Sequence, residues 1–301
     1  MLQNAPDFIL LAQHGWADNN RTLDILAKRL ATPKTCLVTP NLGYVQTWIR
    51  IEPLIQAVEK VAAETIALYP EIPLRIIGHS MGGLICLEVL HRHPEWHSLV
   101  HSLVLIGSPL GGASLARIID PLNLGIGISS DLSRSRKAIA QEIAAVIPTL
   151  AIAGNLDGGG DGMINLGSTR VRNCHFRCLP GIAHPALRNH PRVEAAIREF
   201  WLAPTVPETT ELTKTDKIIH YLESIPGMTD AHQKDFSKAK PLFTLNDGST
   251  ILFWRNPWGV AHVFLASPRG DYLWGGFVGW LHLSALDKAL QEIQQEYSLK
   301  K

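Results

Sequence analysis

The sequence predicts an α/β protein in which a doubly wound, mostly parallel sheet is followed by a small α+β domain. Two patterns favour this fold class. Up to about residue 203, short β-branched or apolar segments alternate with longer helical segments, as in a parallel sheet with helices on both faces. After residue 215, closely spaced strand candidates are separated by short turns that contain Asp and Gly, which is typical of a small antiparallel meander.

Six apolar segments are expected to form the sheet of the first domain. The predicted strands are Phe8 to Gln13, Cys36 to Thr39, Leu74 to Gly78, Leu103 to Gly107, Leu150 to Ala153 and Cys174 to Leu179. The predicted helices are Leu23 to Ala31, Thr47 to Leu68, Met81 to His93 and Pro191 to Trp201. Because active sites of doubly wound sheets lie at the carboxyl ends of the strands, the segments just after each strand are the ones to search for function.

A linker and a second domain follow the first domain, which spans residues 1–203. Residues 204–215 contain two prolines and five threonines and show no apolar periodicity, which indicates a linker. In the second domain, residues 216–301, we predict helices at Asp216 to Ser224, Asp230 to Lys240 and Leu283 to Tyr297, and strands at Leu242 to Leu245, Thr250 to Arg255, Ala261 to Ala266 and Tyr272 to Phe277. No chemistry is assigned to this domain, and binding of a protein partner or self-association is a hypothesis for it.

Composition and charge exclude several classes of protein. The 301 residues are 46% hydrophobic and 18% charged, as in an ordinary globular protein. The net charge is +1 and the charges are mixed along the chain, so we expect no nucleic-acid partner. The first apolar run, Phe8 to Ala12, is too short for a secretory signal or a membrane span, which predicts a cytoplasmic protein without stable membrane insertion. Cys174 and Cys178 lack the second pair that a zinc site needs, and no metal or cofactor is expected.

A G-x-S-x-G turn carries the clearest chemical signal. Gly78, Ser80 and Gly82 stand between a predicted strand and a predicted helix. The glycines permit a sharp turn, and the serine hydroxyl then lies at a helix N-terminus, where the helix dipole favours negative charge. This context predicts that Ser80 is a nucleophile, and the alternative is an ordinary strand-to-helix turn with a serine cap.

A serine nucleophile needs a base and a carboxylate that orients the base. His184 follows the last predicted strand of the first domain, and this position favours it over His175 and His190. The glycine-rich loop after the fifth strand offers two acids, Asp157 and Asp161. We favour Asp161, because it lies just before a helix start, and keep Asp157 as the second candidate. The loop has too few carboxylates for a calcium site.

Two backbone amides are expected to form an oxyanion hole. Met81 supplies one by its position after the serine. The second is assigned to Trp16, in the loop after the first strand, where Gly15 permits close approach of the backbone. The ring of His14 is expected to stabilise this loop by hydrogen bonding.

Four segments together resemble the α/β-hydrolase superfamily, and more narrowly its small lipases and carboxylesterases. They are H-G-W at 14–16, G-H-S-M-G-G at 78–83, D-G-M-I at 161–164 and G-x-x-H-P at 181–185. The resemblance covers about residues 7–203 and does not extend to the C-terminal domain.

The resemblance implies the α/β-hydrolase fold and a catalytic triad of Ser80, His184 and Asp161, with the amides of Trp16 and Met81 as the oxyanion hole. It also implies hydrolysis of a small-molecule or lipid ester, an activity of the EC 3.1 type, through an acyl-enzyme. An acyltransferase or a thioesterase would use the same triad. A binding protein that acts through its C-terminal domain is a further alternative.

Residues 112–147 resemble the short cap that members of this superfamily insert over the active site. Apolar side chains in the cap would line an acyl pocket or pack on the core as an ordinary connection, and the sequence leaves both alternatives open. They are Ile118, Ile119, Leu122, Leu124, Ile126 and Ile128. Gly125 and Gly127 would allow the segment to move as a lid.

Overall fold

The computed structural model describes residues 5–112, 127–156, 159–208 and 212–298. The strands of the first sheet are β1 (Phe8–Gln13), β2 (Thr35–Val38), β3 (Leu74–His79), β4 (Val100–Ile106), β5 (Thr149–Asn155) and β6 (His175–Pro180). All six are parallel, in the order β2-β1-β3-β4-β5-β6. The predicted doubly wound sheet is therefore confirmed, with strand ends that differ from the predicted ones by a few residues.

Helices cover both faces of this sheet. They are α1 (Asn20–Leu30), α2 (Glu52–Leu68), α3 (Met81–Arg92), α4 (Ile128–Ser133), α5 (Lys137–Ala144), α6 (Leu166–Thr169) and α7 (Pro191–Leu202). Successive residues of a strand point to opposite faces, so Ile9 and Leu11 of β1 pack with α2, α3 and α5, while Leu10 packs with α1 and α7. Within the described ranges, no helix is long and apolar enough to cross a membrane.

The predicted helix from Thr47 to Leu68 is wrong at its start. A 3-10 turn at Gln46–Trp48 precedes α2, which begins at Glu52. Pro53 explains the break, because a proline ring inside a helix would collide with the preceding turn, whereas the first turn of a helix accepts proline.

A separate domain with an antiparallel sheet follows at the C-terminal end. Its strands are β7 (Thr229–Asp230), β8 (Lys240–Thr244), β9 (Thr250–Arg255), β10 (Ala261–Ala266) and β11 (Tyr272–Val278), in the order β7-β11-β10-β9-β8. Two helices, α8 (Lys214–Glu223) and α9 (Leu283–Tyr297), pack on the sheet through a core of their own. The α+β class predicted for this domain is confirmed. Helix α8 begins inside the predicted linker, because Thr213 and Asp216 form a reciprocal capping box.

The predicted helix from Asp230 to Lys240 is also wrong. Asp230 belongs to β7 and pairs with Gly276, and a 3-10 turn at Gln233–Lys238 follows. The carboxylate of Asp230 accepts a hydrogen bond from Lys137 of the first domain at 2.9 Å. This long-range contact fixes Asp230 in an extended conformation against the local helical pattern.

Lys137 lies at the contact between the two domains. Its Nζ is 2.8 Å from Glu223 Oε1 and 2.9 Å from Asp230 Oδ1. Burial disfavours the ammonium, but the two carboxylates outweigh it and raise the pKa of Lys137. Burial raises the pKa of Asp230, although Lys137 acts in the opposite direction. The domains are therefore joined by a cluster of three charged side chains, of which Lys137 and Asp230 are buried and Glu223 is partly exposed.

Much of the region that resembles a cap lies outside the described residues. This applies to Ile118, Ile119, Leu122, Leu124, Gly125 and Ile126. Ile128, at the start of α4, is only 2% exposed and packs in the core beside α2 and α3. For Ile128 the structure therefore favours core packing over a place in an acyl pocket.

Candidate active site

Ser80 occupies a strained turn between β3 and α3. Its φ is +55° and its ψ is −127°, a combination that residues other than glycine rarely adopt. The backbone N–H of Ser80 donates to the carbonyl oxygen of Ile106, at the end of β4, over 2.8 Å. The side chain makes no capping hydrogen bond to α3, so the helix does not use the hydroxyl.

The glycines of the turn are required by close backbone contacts. A Cβ on Gly78 would lie 2.4 Å from the Cα of Gly83, and a Cβ on Gly82 would lie 2.2 Å from the carbonyl oxygen of Gln13. Neither neighbour can move easily, because both are backbone atoms of packed elements. The G-x-S-x-G pattern is therefore a steric requirement of this turn.

The loop after β1 lies against the same turn. A Cβ on Gly15 would be 2.9 Å from the Cβ of Ser80 and 3.1 Å from the amide nitrogen of Met81. This contact brings the backbone segment that contains Trp16 beside the N-terminus of α3. The two segments predicted to supply oxyanion amides are therefore neighbours.

His14 stabilises this loop through both ring nitrogens, in the way the sequence predicted. Nδ1 donates to the carbonyl oxygen of Gly15 at 3.0 Å, and Nε2 accepts the N–H of Leu42 at 3.1 Å. Burial lowers the pKa of His14, although the bond to Gly15 acts in the opposite direction. A neutral ring satisfies both contacts, since one nitrogen donates and the other accepts.

His184 and Asp161 form a buried pair. The Nδ1 of His184 donates to Asp161 Oδ2 at 2.7 Å, and the backbone N–H of His184 donates to the carbonyl oxygen of Asp161 at 3.0 Å. The other carboxylate oxygen, Oδ1, accepts the backbone N–H groups of Met163 (3.0 Å) and Ile164 (2.7 Å). The two side chains are 4% and 2% exposed. Asp161 therefore fixes the ring with Nδ1 protonated and Nε2 available as an acceptor.

The loop after β6 brings His184 back towards Ser80. Strand β6 is the third strand from β3, a lateral distance of about 14 Å at the usual strand spacing. His184 covers about two thirds of this distance, because its ring lies against Gly107 at the end of β4. Gly107 has a φ of +56°, and a Cβ at this position would lie 3.0 Å from His184 Nδ1. Gly107 directly follows Ile106, which accepts the N–H of Ser80. The serine turn and the histidine thus meet at the carboxyl edge of the sheet.

His175 and His190, the two histidines that the sequence ranks below His184, do not join this group. His175 Nε2 lies 3.0 Å from the carbonyl oxygen of Thr205, and His190 caps α7 by accepting the N–H of Arg192. Asp157 lies outside the described residues.

His79 is a site residue that the sequence analysis did not identify. Its ring lies 4.8 Å from the ring of His184, and its Nε2 is 3.3 Å from the carbonyl oxygen of His184. The signal was available, because His79 occupies a variable position of the G-x-S-x-G turn. The motif gives that position no role, however, and only the fold shows what lies beside it.

Exposed apolar side chains border the loop after β1. The ring of Trp16 packs edge-on against Trp48 at 4.4 Å, and Trp48 is 41% exposed. Tyr44, Val45 and Ile49, in the same segment as Trp48, are all exposed. An apolar surface therefore lies next to the turn that carries Ser80.

Comparison with known proteins supports the fold. The model of a protein family described as the PGAP1-like alpha/beta domain matches residues 52–174. A thermostable carboxyl esterase from Bacillus coagulans is 13% identical, with a TM-score of 0.51 over 67% of this chain and 91% of the esterase. A lipase from Bacillus licheniformis is 12% identical, with a TM-score of 0.50 over 65% of this chain and 92% of the lipase. No curated protein sequence matches the chain. The α/β-hydrolase fold and the resemblance to that superfamily are confirmed.

Proposed function

We propose that this protein is a serine hydrolase that cleaves carboxylic esters, with Ser80 as nucleophile, His184 as general base and Asp161 as the acid that orients the base. The observation that carries the proposal is the strained Ser80 turn beside a buried His184–Asp161 pair joined at 2.7 Å. Backbone strain of this kind costs about 1–3 kcal/mol and clusters at active sites, where function maintains it.

The reaction follows from the positions of these groups. The Oγ of Ser80 attacks the ester carbonyl carbon, and its proton passes to Nε2 of His184. The tetrahedral intermediate collapses, the bond to the alcohol oxygen breaks, and His184 returns the proton to that oxygen. Water then attacks the acyl-enzyme with His184 again as base, which releases the carboxylic acid and restores the Ser80 hydroxyl.

The amides of Trp16 and Met81 are proposed to bind the oxyanion. The close contact of Gly15 with Ser80 and with the amide nitrogen of Met81 supports this assignment. Each such amide contributes roughly 10²- to 10³-fold to turnover. The transition-state charge would develop between two backbone segments that are already held in place.

Two observations support an ester as the substrate. The similar solved structures include a carboxyl esterase and a lipase. The apolar surface at Trp16 and Trp48 offers contacts to the acyl or alcohol part of a small-molecule or lipid ester.

Residues 1–203 are proposed as the catalytic domain, and residues 216–301 as a domain that docks on it through Lys137. All four cysteines are free thiols, which supports action in the cytoplasm.

Labelling with a fluorescent fluorophosphonate tests the proposal. Wild-type protein should label, and Ser80→Ala and His184→Ala should not. The matched control is Ser108→Ala, because Ser108 is a buried serine near α3 whose Oγ has no hydrogen-bond partner among the described residues. This variant should label like the wild type, and a wild-type protein that fails to label would contradict the proposal.

A series of p-nitrophenyl esters with graded acyl length then defines the substrate. The apolar surface predicts a preference for acyl chains longer than acetyl. Adding acceptor alcohols to the assay separates hydrolysis from acyl transfer, since a transferase would form a new ester in place of the free acid.

A further inference from the structure

His79 connects the strand of the nucleophile to the loop of the base. It is the last residue of β3 and directly precedes Ser80, and it is 4% exposed. Its Nε2 lies 3.3 Å from the carbonyl oxygen of His184. The two rings are tilted by 39°, with centroids 4.8 Å apart. His79 thus contacts both the backbone and the ring of His184.

This contact lies where the His184 loop needs support. The loop extends from β6 across the end of β5 to Gly107 at the end of β4, about 10 Å from its own strand at the usual strand spacing. Asp161, from the loop after β5, holds the Nδ1 side of the ring. The bond from His79 is anchored at β3 instead, one residue from Ser80, and therefore fixes His184 relative to the nucleophile itself.

The hydrogen bond to a carbonyl oxygen determines which ring nitrogen of His79 carries the proton. A carbonyl oxygen only accepts, so the Nε2 of His79 carries the proton and donates it. Its Nδ1 is buried, with no hydrogen-bond partner among the described residues. The titratable and charged groups that face His79 are His184, Arg188 and His14. Burial, reinforced by these groups, keeps the pKa of His79 well below 6.5, against the effect of its bond to the His184 carbonyl.

His79 remains neutral when its neighbour gains a proton. During catalysis His184 becomes an imidazolium, and Asp161 lies beside it as a carboxylate partner. Arg188 is paired with Asp18 at 2.8 Å. A neutral donor on the far side of His184 can hold its backbone throughout this cycle, because protonation of the His184 ring removes neither the Nε2–H of His79 nor the carbonyl acceptor.

We propose that His79 is a positioning residue, whose Nε2–H holds the carbonyl oxygen of His184 and whose ring supports the His184 imidazole, so that the base stays in line with Ser80. This inference rests on the proposed function of Ser80 and His184. A displacement of about 1 Å in such a group reduces turnover by up to about 100-fold.

Two substitutions of similar length separate the hydrogen bond from simple packing. The amide nitrogen of His79→Gln lies near the position of the histidine Nε2 and can donate to the same carbonyl. The side chain of His79→Met fills similar space and cannot donate. We expect kcat of the methionine variant to fall about 10- to 100-fold with KM within about two-fold of wild type, and kcat of the glutamine variant to recover most of the loss.

The outcomes are distinct. Equal kcat in both variants and the wild type would overturn the proposal, and so would equal losses in both variants with equal losses in Tm, since packing alone would explain them. If His79→Met does not fold, the wild type decides by ¹⁵N NMR of the histidines. We expect a His79 signal with Nε2 protonated at pH 7.5, and a signal protonated only on Nδ1 would overturn the proposal.

The NMR measurement also separates this inference from the proposed function. If the wild type neither labels with fluorophosphonate nor cleaves esters, the proposed function fails. The NMR measurement of the His79 tautomer then still decides whether His79 donates the hydrogen bond. If the wild type is active and His79 is protonated only on Nδ1, the proposed function stands and the positioning role fails.

Discussion

Two buried clusters of charged and titratable side chains differ in how the chain assembles them. In the first, Asp161 holds His184 at 2.7 Å, and both come from loops of the first sheet. In the second, Lys137 of α5 binds Glu223 and Asp230 of the C-terminal domain at 2.8 and 2.9 Å. The first cluster carries a histidine whose charge changes during the proposed reaction. The charged side chains of the second cluster take no part in the proposed reaction, and they join the two domains.

This difference indicates different roles. Asp161 is satisfied by backbone amides of its own loop, so its position does not depend on the second domain. Asp230, in contrast, lies against Gly111, where a Cβ would come within 1.7 Å of its carboxylate, and its backbone N–H donates to the Gly111 carbonyl at 3.4 Å. We therefore expect changes in the first cluster to affect turnover, and changes in the second to affect stability.

The largest expected effect is on turnover. Asp161→Asn keeps the shape of the side chain but favours the wrong tautomer of His184, and kcat should fall about 10⁴-fold with Tm within a few degrees of wild type. Ester hydrolysis and thermal unfolding are measured on the same sample. Asp157→Asn is the matched variant, and a large loss of kcat there with none in Asp161→Asn would assign the acid to Asp157.

Removal of Lys137 should affect stability instead. Lys137→Met leaves the buried carboxylate of Asp230 and the partly buried one of Glu223 without a cation, which should lower the free energy of unfolding by about 3–5 kcal/mol. The control is Lys60→Met, because Lys60 forms an exposed pair with Glu64 and its loss should cost less than about 1 kcal/mol. Urea unfolding measures both. Equal stability of the two variants would remove the distinction between the clusters.

Acid should destabilise the protein through its first domain. Burial lowers the pKa of both His14 and His79, so the unfolded chain binds protons below about pH 6.5 that the folded chain does not. Stability should therefore fall as the pH falls below 6.5, by up to about 1.4 kcal/mol per pH unit for each histidine. Urea unfolding of wild type and His79→Gln at pH 7.5 and 5.5 measures the difference. An equal fall in both would exclude a contribution from His79.

The smallest expected effect is a gain in the stability of the folded protein. Ser80→Gly relieves the strain of a φ of +55°, whereas Ser80→Ala keeps it. We expect the glycine variant to be more stable than the alanine variant by about 1 kcal/mol, after the entropy cost of glycine in the unfolded chain. Both variants should be inactive. An alanine variant as stable as the glycine variant would show that the turn is not strained.

The sequence draws attention to the residues of the first cluster but not to those of the second. Ser80, His184 and Asp161 follow the ends of strands, and a parallel sheet brings such positions to one edge. The pairing of Lys137 with Glu223 and Asp230 spans more than eighty residues of chain and leaves no local pattern, which is also why Asp230 was assigned to a helix.

Contacts of side chains with backbone atoms could not be predicted from the sequence either. No sequence pattern identifies the role of His79, because its partner is the carbonyl oxygen of His184, and a carbonyl oxygen has the same chemistry in every residue. The break before α2, in contrast, was available from Pro53. Motifs and prolines act locally and can be recognised, whereas long-range pairing requires the folded chain.

The most direct test of the account is to trap the acyl-enzyme. Wild-type protein is mixed with a p-nitrophenyl ester, quenched in acid within milliseconds and analysed by mass spectrometry of the intact chain and of its peptides. If Ser80 is the nucleophile, one acyl group per chain should be found on the peptide that contains Ser80, and none in Ser80→Ala. Steady release of p-nitrophenol with an acyl group on another residue, or undiminished release by Ser80→Ala, would contradict it.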